Sequence, residues 1–316
     1  MIHSPWVEKY RPTSFEDIVL EPINKTLLKN IISTNNFPNL LFYGPPGTGK
    51  TTTIINLINQ YQEKYKQKSK GLKIHLNASD DRGIDIIRNQ INQFVNTKTI
   101  FGKGMKFVIL DEVDYMTKNA QQALRYLIQQ YSKDIRFCLI CNYISRIDIS
   151  LQNEFVRLRF CQLPHKDIYN FLHKIIKEEK IIVKKEQIYA IQEYFKSDIR
   201  SMINYIQSNH DNGGLNSNIM RNEYWNQFIT NIKDKKDNSI EKTKLYHFIF
   251  DESIKYNIQI KTYIFKFLNY MIHEKKIANK TGWITTTRYI LHNSNITNKY
   301  LLKYFINQIY TLLQEV

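Results

Sequence analysis

The chain has 316 residues, of which 42% are hydrophobic and 23% are charged, and its formal net charge is +16. It is long enough for two or three domains with a buried core, and it lacks both a signal peptide and an apolar run near the ~18 residues of a membrane span, so we expect an intracellular protein. The positive charge would attract nucleic acid, but the enrichment in Lys, Asn, Ile and Tyr leaves solvated lysines as an equal alternative.

The N-terminal half alternates short apolar runs with helix-like segments. Strands are predicted at 40–43, 73–76, 107–110 and 137–141. Helices are predicted at 23–33, 51–60, 84–95 and 119–131. This alternation predicts a first domain at residues 1–163, of the α/β class, with a parallel sheet covered by helices on both faces.

The first predicted strand runs directly into GPPGTGKT, Gly44–Thr51, which matches the phosphate-loop pattern G-x-x-x-x-G-K-S/T. A strand before the loop and a helix after it are the context that this motif requires. The glycines let backbone N–H groups approach phosphate oxygens, and the helix N-terminus adds a favourable dipole. Lys50 is predicted to reach the β- and γ-phosphates and the Thr51 hydroxyl to bind Mg²⁺. The chain is therefore expected to bind a nucleoside triphosphate.

Acidic residues follow the third predicted strand, in the stretch Lys106–Asp114. Ligands of doubly wound sheets bind at the carboxyl ends of the strands. Asp111 is predicted to hold the Mg²⁺, and Glu112 to polarise the water that attacks the γ-phosphate. Asn142 ends the next apolar strand, where a carboxamide can orient that water; by itself it would also fit a turn.

The three cysteines do not form a disulfide framework, which is typical of a reducing compartment. Cys138 and Cys141 make a C-x-x-C pair inside the fourth predicted strand. Residues three apart on a strand point to opposite faces, so this pair is predicted to pack in the core and not to hold a metal.

The second half of the sequence is helical. A helical segment at 164–210 is followed by a polar, turn-rich stretch at 209–218, which indicates a boundary. Residues 211–316 show helical apolar periodicity with many Tyr and Phe. That periodicity fits the core of a helical bundle and also a helix-packed oligomer interface, and both alternatives stay open.

With their neighbours, these motifs resemble the AAA+ ATPases, and within them the small subunits of replication factor C, the clamp loader. The resemblance covers about residues 5–210. The boxes that carry it are Trp6–Pro12 with Phe15–Val19, Gly44–Thr51, Asn77–Asp85, Asp111–Asp114, Cys141–Tyr143 and Ser197–Asn204. It implies an ATPase domain at 1–163, a helical lid at 164–210 and an all-α collar at 211–316 that assembles subunits.

The resemblance also implies residue roles. Tyr10, Arg11 and Ile18 would line the adenine pocket, and Arg200 would be the lid arginine that contacts the γ-phosphate. Arg82 and Arg88 would contact DNA, although a solvated helix face is the alternative. The implied catalytic residues are Glu112, Asn142 and Lys50, and the implied ATP contacts are Tyr10, Arg11, Ile18, Gly44, Pro45, Pro46, Gly47, Thr48, Gly49, Lys50, Thr51, Thr52, Asn142 and Arg200.

Two positions depart from the family pattern. Glu154 stands where the family has an arginine that reaches the ATP site of the neighbouring subunit, so this chain is expected to be a poor donor of that arginine. Arg157 or Arg159, displaced by a shifted turn, is the alternative donor. At Arg125-Tyr126 the family usually has two arginines, on the helix whose Gln122 would couple DNA contact to the catalytic acid.

The implied function is ATP-dependent, Mg²⁺-dependent loading of a sliding clamp onto primed DNA during replication, with hydrolysis only inside an oligomer. The expected partners are other clamp-loader subunits in a hetero-pentamer, the clamp and a primed DNA junction. The alternatives are another AAA+ ATPase that remodels DNA and a scaffold subunit that binds ATP with little turnover.

Overall fold

The computed structural model describes residues 4–67, 70–79, 84–96, 104–131, 135–210, 220, 222–233, 239–256, 258–274, 280–292 and 297–314. The chain divides into two compact units, residues 1–215 and 216–316.

The first unit is built on a parallel sheet, which has five strands within the described residues. The strands are β1 (Leu40–Tyr43), β2 (Lys73–Asn77), β3 (Lys106–Asp111), β4 (Ile135–Cys141) and β5 (Val156–Arg159). Their order across the sheet is β2-β3-β4-β1-β5. In this order β1 lies between β4 and β5, with Tyr43 opposite Cys141 on one side and Arg159 on the other. All strands therefore end at the same edge, where the acidic and amide residues lie.

Helices precede the first strand, alternate with the strands and continue beyond the last one. The helices of the first unit are α1 (Trp6–Lys9), α2 (Pro22–Thr34), α3 (Lys50–Lys64), α4 (Ile84–Asn96), α5 (Lys118–Tyr131), α6 (Ile149–Gln152), α7 (His165–Glu178), α8 (Lys185–Phe195) and α9 (Ile199–Asn209). Asp198 is the N-cap residue of α9, and its carboxylate accepts from the backbone N–H of Ser201 at 3.0 Å. Such a cap satisfies one of the free N–H groups of the first turn.

Both faces of the sheet are buried, in two separate apolar clusters. Phe42, Ile109 and Cys138 belong to one cluster. Leu41 and Cys141 belong to the other. The strand alternation thus places the two cysteines on opposite faces, as their spacing predicts.

The sequence does not predict the edge strand β5. Two of its four residues are arginines, and only Leu158 is buried. The pairing comes from the neighbouring strand, beginning where the N–H of Val156 donates to Asn39 O at 2.9 Å. A sheet edge of this kind has no sequence signal comparable to a buried apolar run.

The second unit contains α10 (Asn222–Lys233), α11 (Ser239–Lys255), α12 (Ile260–Glu274), α13 (Lys280–His292) and α14 (Asn298–Gln314). Its core is rich in aromatic rings, with Trp225, Tyr263, Phe267, Trp283 and Phe305 all buried. Among the periodic apolar residues predicted at 211–316, Tyr263, Phe267 and Met271 of α12 are buried in this core, which supports the bundle interpretation. Within the described residues, the helices are too short or too polar to cross a membrane.

Candidate active site

The phosphate loop joins the end of β1 to the start of α3. Gly44 has a φ of 141°, and a Cβ there would lie 1.8 Å from the carbonyl oxygen of Phe160. Gly47 has a φ of 74°, and a Cβ there would lie 1.8 Å from Oδ1 of Asp198. Both positions therefore require glycine, for backbone conformation and for space.

Lys50 is held inside the loop. Its Nζ donates to the carbonyl oxygens of Gly44 and Pro45 at 2.8 Å each, and to Asn142 Oδ1 at 3.0 Å. Burial lowers the pKa of Lys50, and the nearby Asp111 opposes that shift. The bond to Asn142 links the phosphate loop to the end of β4.

Thr51 and Asp111 form the candidate metal site. The Thr51 hydroxyl donates to Asp111 Oδ2 at 2.7 Å. A hydroxyl and a carboxylate are oxygen ligands, which Mg²⁺ prefers, so these residues fit the metal. His75 Nε2 lies 3.9 Å from the same carboxylate oxygen, and burial lowers the pKa of this imidazole.

Two acids after β3 shape the catalytic side. Glu112 has a φ of 57°, an uncommon backbone conformation for a residue other than glycine, and its N–H donates to Asp111 Oδ1 at 2.9 Å. Asp114 is buried and accepts from the N–H groups of Asn142 at 3.3 Å and Tyr143 at 3.2 Å. Asp114 thereby fixes the end of β4, a role that the sequence motif does not reveal.

A cavity of about 220 Å³ brings most of the predicted residues together. The predicted residues that line it are Tyr10, Arg11, Ile18, Pro46, Gly47, Thr48, Gly49, Lys50, Thr51, Thr52, Asp111, Glu112, Asn142 and Arg200. Gly44 and Pro45 instead line an adjacent groove. The lining residues that the sequence did not predict are Val7, Glu8, Pro12, Val19, Ile140, Phe171, Ile199 and Ile203. Six of these eight residues belong to the boxes Trp6–Pro12, Phe15–Val19 and Ser197–Asn204, whereas Ile140 and Phe171 lie outside every box.

The predicted DNA-contacting pair is not tested by this geometry. Arg82 lies outside the described residues. Arg88 lies on α4, but its side chain is outside the described part of the chain. DNA contact by these two arginines stays a prediction.

Glu154 makes contacts within its own subunit. Its Oε1 lies 3.4 Å from Arg125 Nε and accepts from Gln129 Nε2 at 2.8 Å, both on α5. It precedes β5, at the end of the sheet opposite the phosphate loop. Arg157 donates to Gln152 Oε1 at 3.1 Å, whereas Arg159 lies beside its own phosphate loop.

Comparison with known proteins agrees with this geometry. Residues 40–163, which hold β1, the phosphate loop and the acidic pair, match the model of the ATPase family associated with various cellular activities (AAA). These residues form an AAA domain. The predicted fold class, an AAA+ domain with a helical lid and a C-terminal all-α part, is confirmed. A RuvB variant from Thermotoga maritima shares the fold of the chain, with a TM-score of 0.54 at 12% identity over 96% of this chain and 91% of that one.

About two thirds of the chain is also similar to replication factor C subunits. The chain is 44% identical over 207 residues to replication factor C subunit 3 of Schizosaccharomyces pombe, covering 65% of this chain and 59% of the relative. It is 44% identical over 205 residues to replication factor C subunit 5 of Homo sapiens, with the same coverage of each chain. Replication factor C small subunit 2 of Pyrobaculum aerophilum is 41% identical over 203 residues, 64% of this chain and 62% of the relative. The match thus spans about three fifths of these relatives.

Proposed function

We propose that this chain is a small subunit of a clamp-loader ATPase, which couples ATP hydrolysis to the loading of a sliding clamp onto primed DNA during replication. The similarity to replication factor C subunits supports the assembly and the role at replicating DNA. The proposal includes a hetero-pentamer with other loader subunits, and domains at 1–163, 164–210 and 211–316.

One observation carries the ATPase part of this proposal. The Thr51 hydroxyl and the Asp111 carboxylate meet at 2.7 Å in a cavity that Lys50, Glu112 and Arg200 also line. One hydroxyl, two carboxylates and two basic side chains therefore surround the same space. This donor set is the one that phosphoryl transfer needs.

The residue roles follow from this arrangement. Lys50 would bind the β- and γ-phosphates, and Arg200 would contact the γ-phosphate from the lid. Thr51 and Asp111 would hold Mg²⁺, which when bound neutralises charge on the phosphate oxygens.

The attack on the γ-phosphate would depend on two further residues. Glu112 would accept the proton of the attacking water, acting as a general base. Asn142 would orient that water, and Asp114 holds its backbone in place. Electrostatic positioning of this kind is the main catalytic contribution in phosphoryl transfer.

The contacts of Glu154 indicate which role this subunit would have beside its neighbours in the proposed hetero-pentamer. Its carboxylate is used by Arg125 and Gln129 of its own α5, and a carboxylate would repel the phosphates of a neighbouring site. We propose that the chain receives an arginine from another subunit type and gives none through residue 154.

Glu112→Gln tests the reaction in the assembled complex. It should bind ATP with unchanged affinity and lower the rate of hydrolysis by about 10²–10⁴-fold, the usual contribution of a general base. Glu193→Gln removes the same charge from an exposed position on α8 and serves as the control. Unchanged hydrolysis by Glu112→Gln would favour a scaffold subunit. Native mass spectrometry of the purified complex tests the loader role, because a homo-hexamer that ignores every clamp would exclude it.

A further inference from the structure

The N-terminal segment Trp6–Pro12 is bonded to the AAA core. Arg11 Nε donates to the hydroxyl of Thr52 at 3.2 Å. Asn56 Nδ2 donates to the carbonyl oxygen of Pro12 at 2.8 Å. Both partners lie on α3, the helix that follows the phosphate loop, so the end of this segment is fixed beside the nucleotide cavity.

The middle of the segment is bonded to the lid through one carboxylate. Lys9 Nζ and Tyr10 OH both donate to Oε1 of Glu179, at 2.6 Å each. Glu179 directly follows α7 and caps its last turn. Burial raises the pKa of the Glu179 carboxyl, but the bonds from Lys9 and Tyr10 outweigh it, so the pKa lies below its usual range. Glu179 is therefore ionised at neutral pH, and its bonds are charge-assisted.

The start of the segment has a second lid contact. The N–H of Trp6 donates to Gln207 Oε1 at 2.9 Å. The ring of Trp6, itself buried, lies 4.9 Å from the ring of His210. Gln207 belongs to α9, the helix that carries Arg200. The segment is thus bonded to the lid at two places, one directly after α7 and one on α9.

The same segment forms one wall of the nucleotide cavity. The residues of the segment that line the cavity are Val7, Glu8, Tyr10, Arg11 and Pro12. The phosphate loop lies on another wall and is built from residues 44–51, whereas the Glu179 carboxylate accepts from Lys9 and Tyr10 of the segment. The side of the cavity that would receive the base and the side that would receive the phosphates therefore have separate supports.

We propose that Glu179 is a positioning residue for the base-binding wall: it holds Lys9 and Tyr10 against the lid, so that affinity for the base moiety depends on it while affinity for the phosphates does not. This inference rests on the proposed nucleotide binding. The wall is then bonded to the lid through Lys9 and Tyr10 and to α3 through Arg11 and Pro12.

The test compares two ligands that differ in the base and ribose. Affinities of the full chain for ATP and for inorganic tripolyphosphate are measured by calorimetry. Glu179→Ala removes two hydrogen bonds and should weaken ATP binding about tenfold, while tripolyphosphate binding stays unchanged. Glu179→Gln keeps an acceptor for Tyr10, so its affinity for ATP should lie between those of Glu179→Ala and the unsubstituted protein. Glu178→Ala, at the adjacent exposed position, is the matched control and should bind both ligands like the unsubstituted protein.

Each other outcome overturns the inference. Equal losses for ATP and tripolyphosphate would show that Glu179 supports the fold of the whole unit, and a lowered melting temperature would accompany them. Unchanged ATP affinity in Glu179→Ala would show that the wall is positioned without it. If the unsubstituted protein binds neither ligand, the proposed nucleotide function itself fails, and the inference falls with it.

Discussion

Reversing the charge at Glu154 should destabilise the first unit by a predictable amount. The Glu154 and Arg125 side chains are 27% and 42% exposed, so their ion pair contributes about 0.2–1 kcal/mol. Loss of the Gln129 hydrogen bond adds about 0.5–1.5 kcal/mol. Glu154→Arg also places two guanidinium groups side by side. We expect a total loss of about 1–2 kcal/mol, which lowers the melting temperature by about 2–8 °C for a domain of this size.

A double-mutant cycle tests the origin of that loss. Arg125→Glu combined with Glu154→Arg restores opposite charges and should recover most of the stability, measured by thermal unfolding followed with circular dichroism. Glu193→Arg makes the same charge change on an exposed face of α8 and is the control. A coupling energy of zero would refute the assignment of Glu154 to an intrasubunit pair. For the ATPase test of a grafted arginine, Arg125→Ala with Glu154→Arg avoids the repulsion, and unchanged turnover in the complex would show that the missing arginine does not limit it.

Three further outcomes follow from the site. Gly47→Ala should abolish ATP binding and lower the melting temperature, because its Cβ would overlap the Asp198 carboxylate; calorimetry and thermal unfolding report both. Burial lowers the pKa of Lys50, and bound phosphates would raise it again. When the pH rises above the lowered pKa, ATP binding should therefore be accompanied by uptake of a proton, and the affinity for ATP should fall. Calorimetry in buffers of different ionisation enthalpy measures this uptake. A thiol reagent should modify the half-exposed Cys161 in the folded protein but neither of the strand cysteines. Burial raises the pKa of Cys141 to about 12 and that of Cys138 further, so neither forms the reactive thiolate. Mass spectrometry after labelling measures this, and a label on either strand cysteine would contradict the prediction.

The sequence predicts the parts of the site that are local in the chain. Gly44–Thr51 and Asp111-Glu112 each lie at the end of a buried strand, which is where residues of this chemistry bind their ligand, so motif and context agree. The predicted strand at 40–43 has the observed bounds of β1, and each of the other three observed strands is one or two residues longer than predicted. Buried apolar runs and phosphate loops are recognisable because a few neighbouring residues determine them.

The rest depends on contacts between distant residues. Lys9 and Glu179 are 170 residues apart in the sequence, and Trp6 and Gln207 are 201 apart. A lone glutamate after a helix or a lone glutamine inside one has no local pattern that indicates its partner. The edge strand β5 was missed for a related reason, since its pairing with β1 determines it more than its own Val-Arg-Leu-Arg sequence does.

The phosphate loop makes two further contacts with residues distant in the sequence. Lys50 bonds Asn142 at the end of β4, and the carbonyl oxygen of Gly47 accepts from the N–H of Ile199 at the start of α9, at 3.1 Å. The loop is therefore attached both to the strand that carries the candidate water-orienting residue and to the helix that carries Arg200. A nucleotide that binds Lys50 competes with Asn142 for the same ammonium group, and so acts directly on the end of β4. Because the Gly47 contact is to the first residue of α9, a rearrangement of the loop would reach Arg200 through a single backbone hydrogen bond. These two bonds therefore give a bound nucleotide a direct route to the end of β4 and to α9 within one chain.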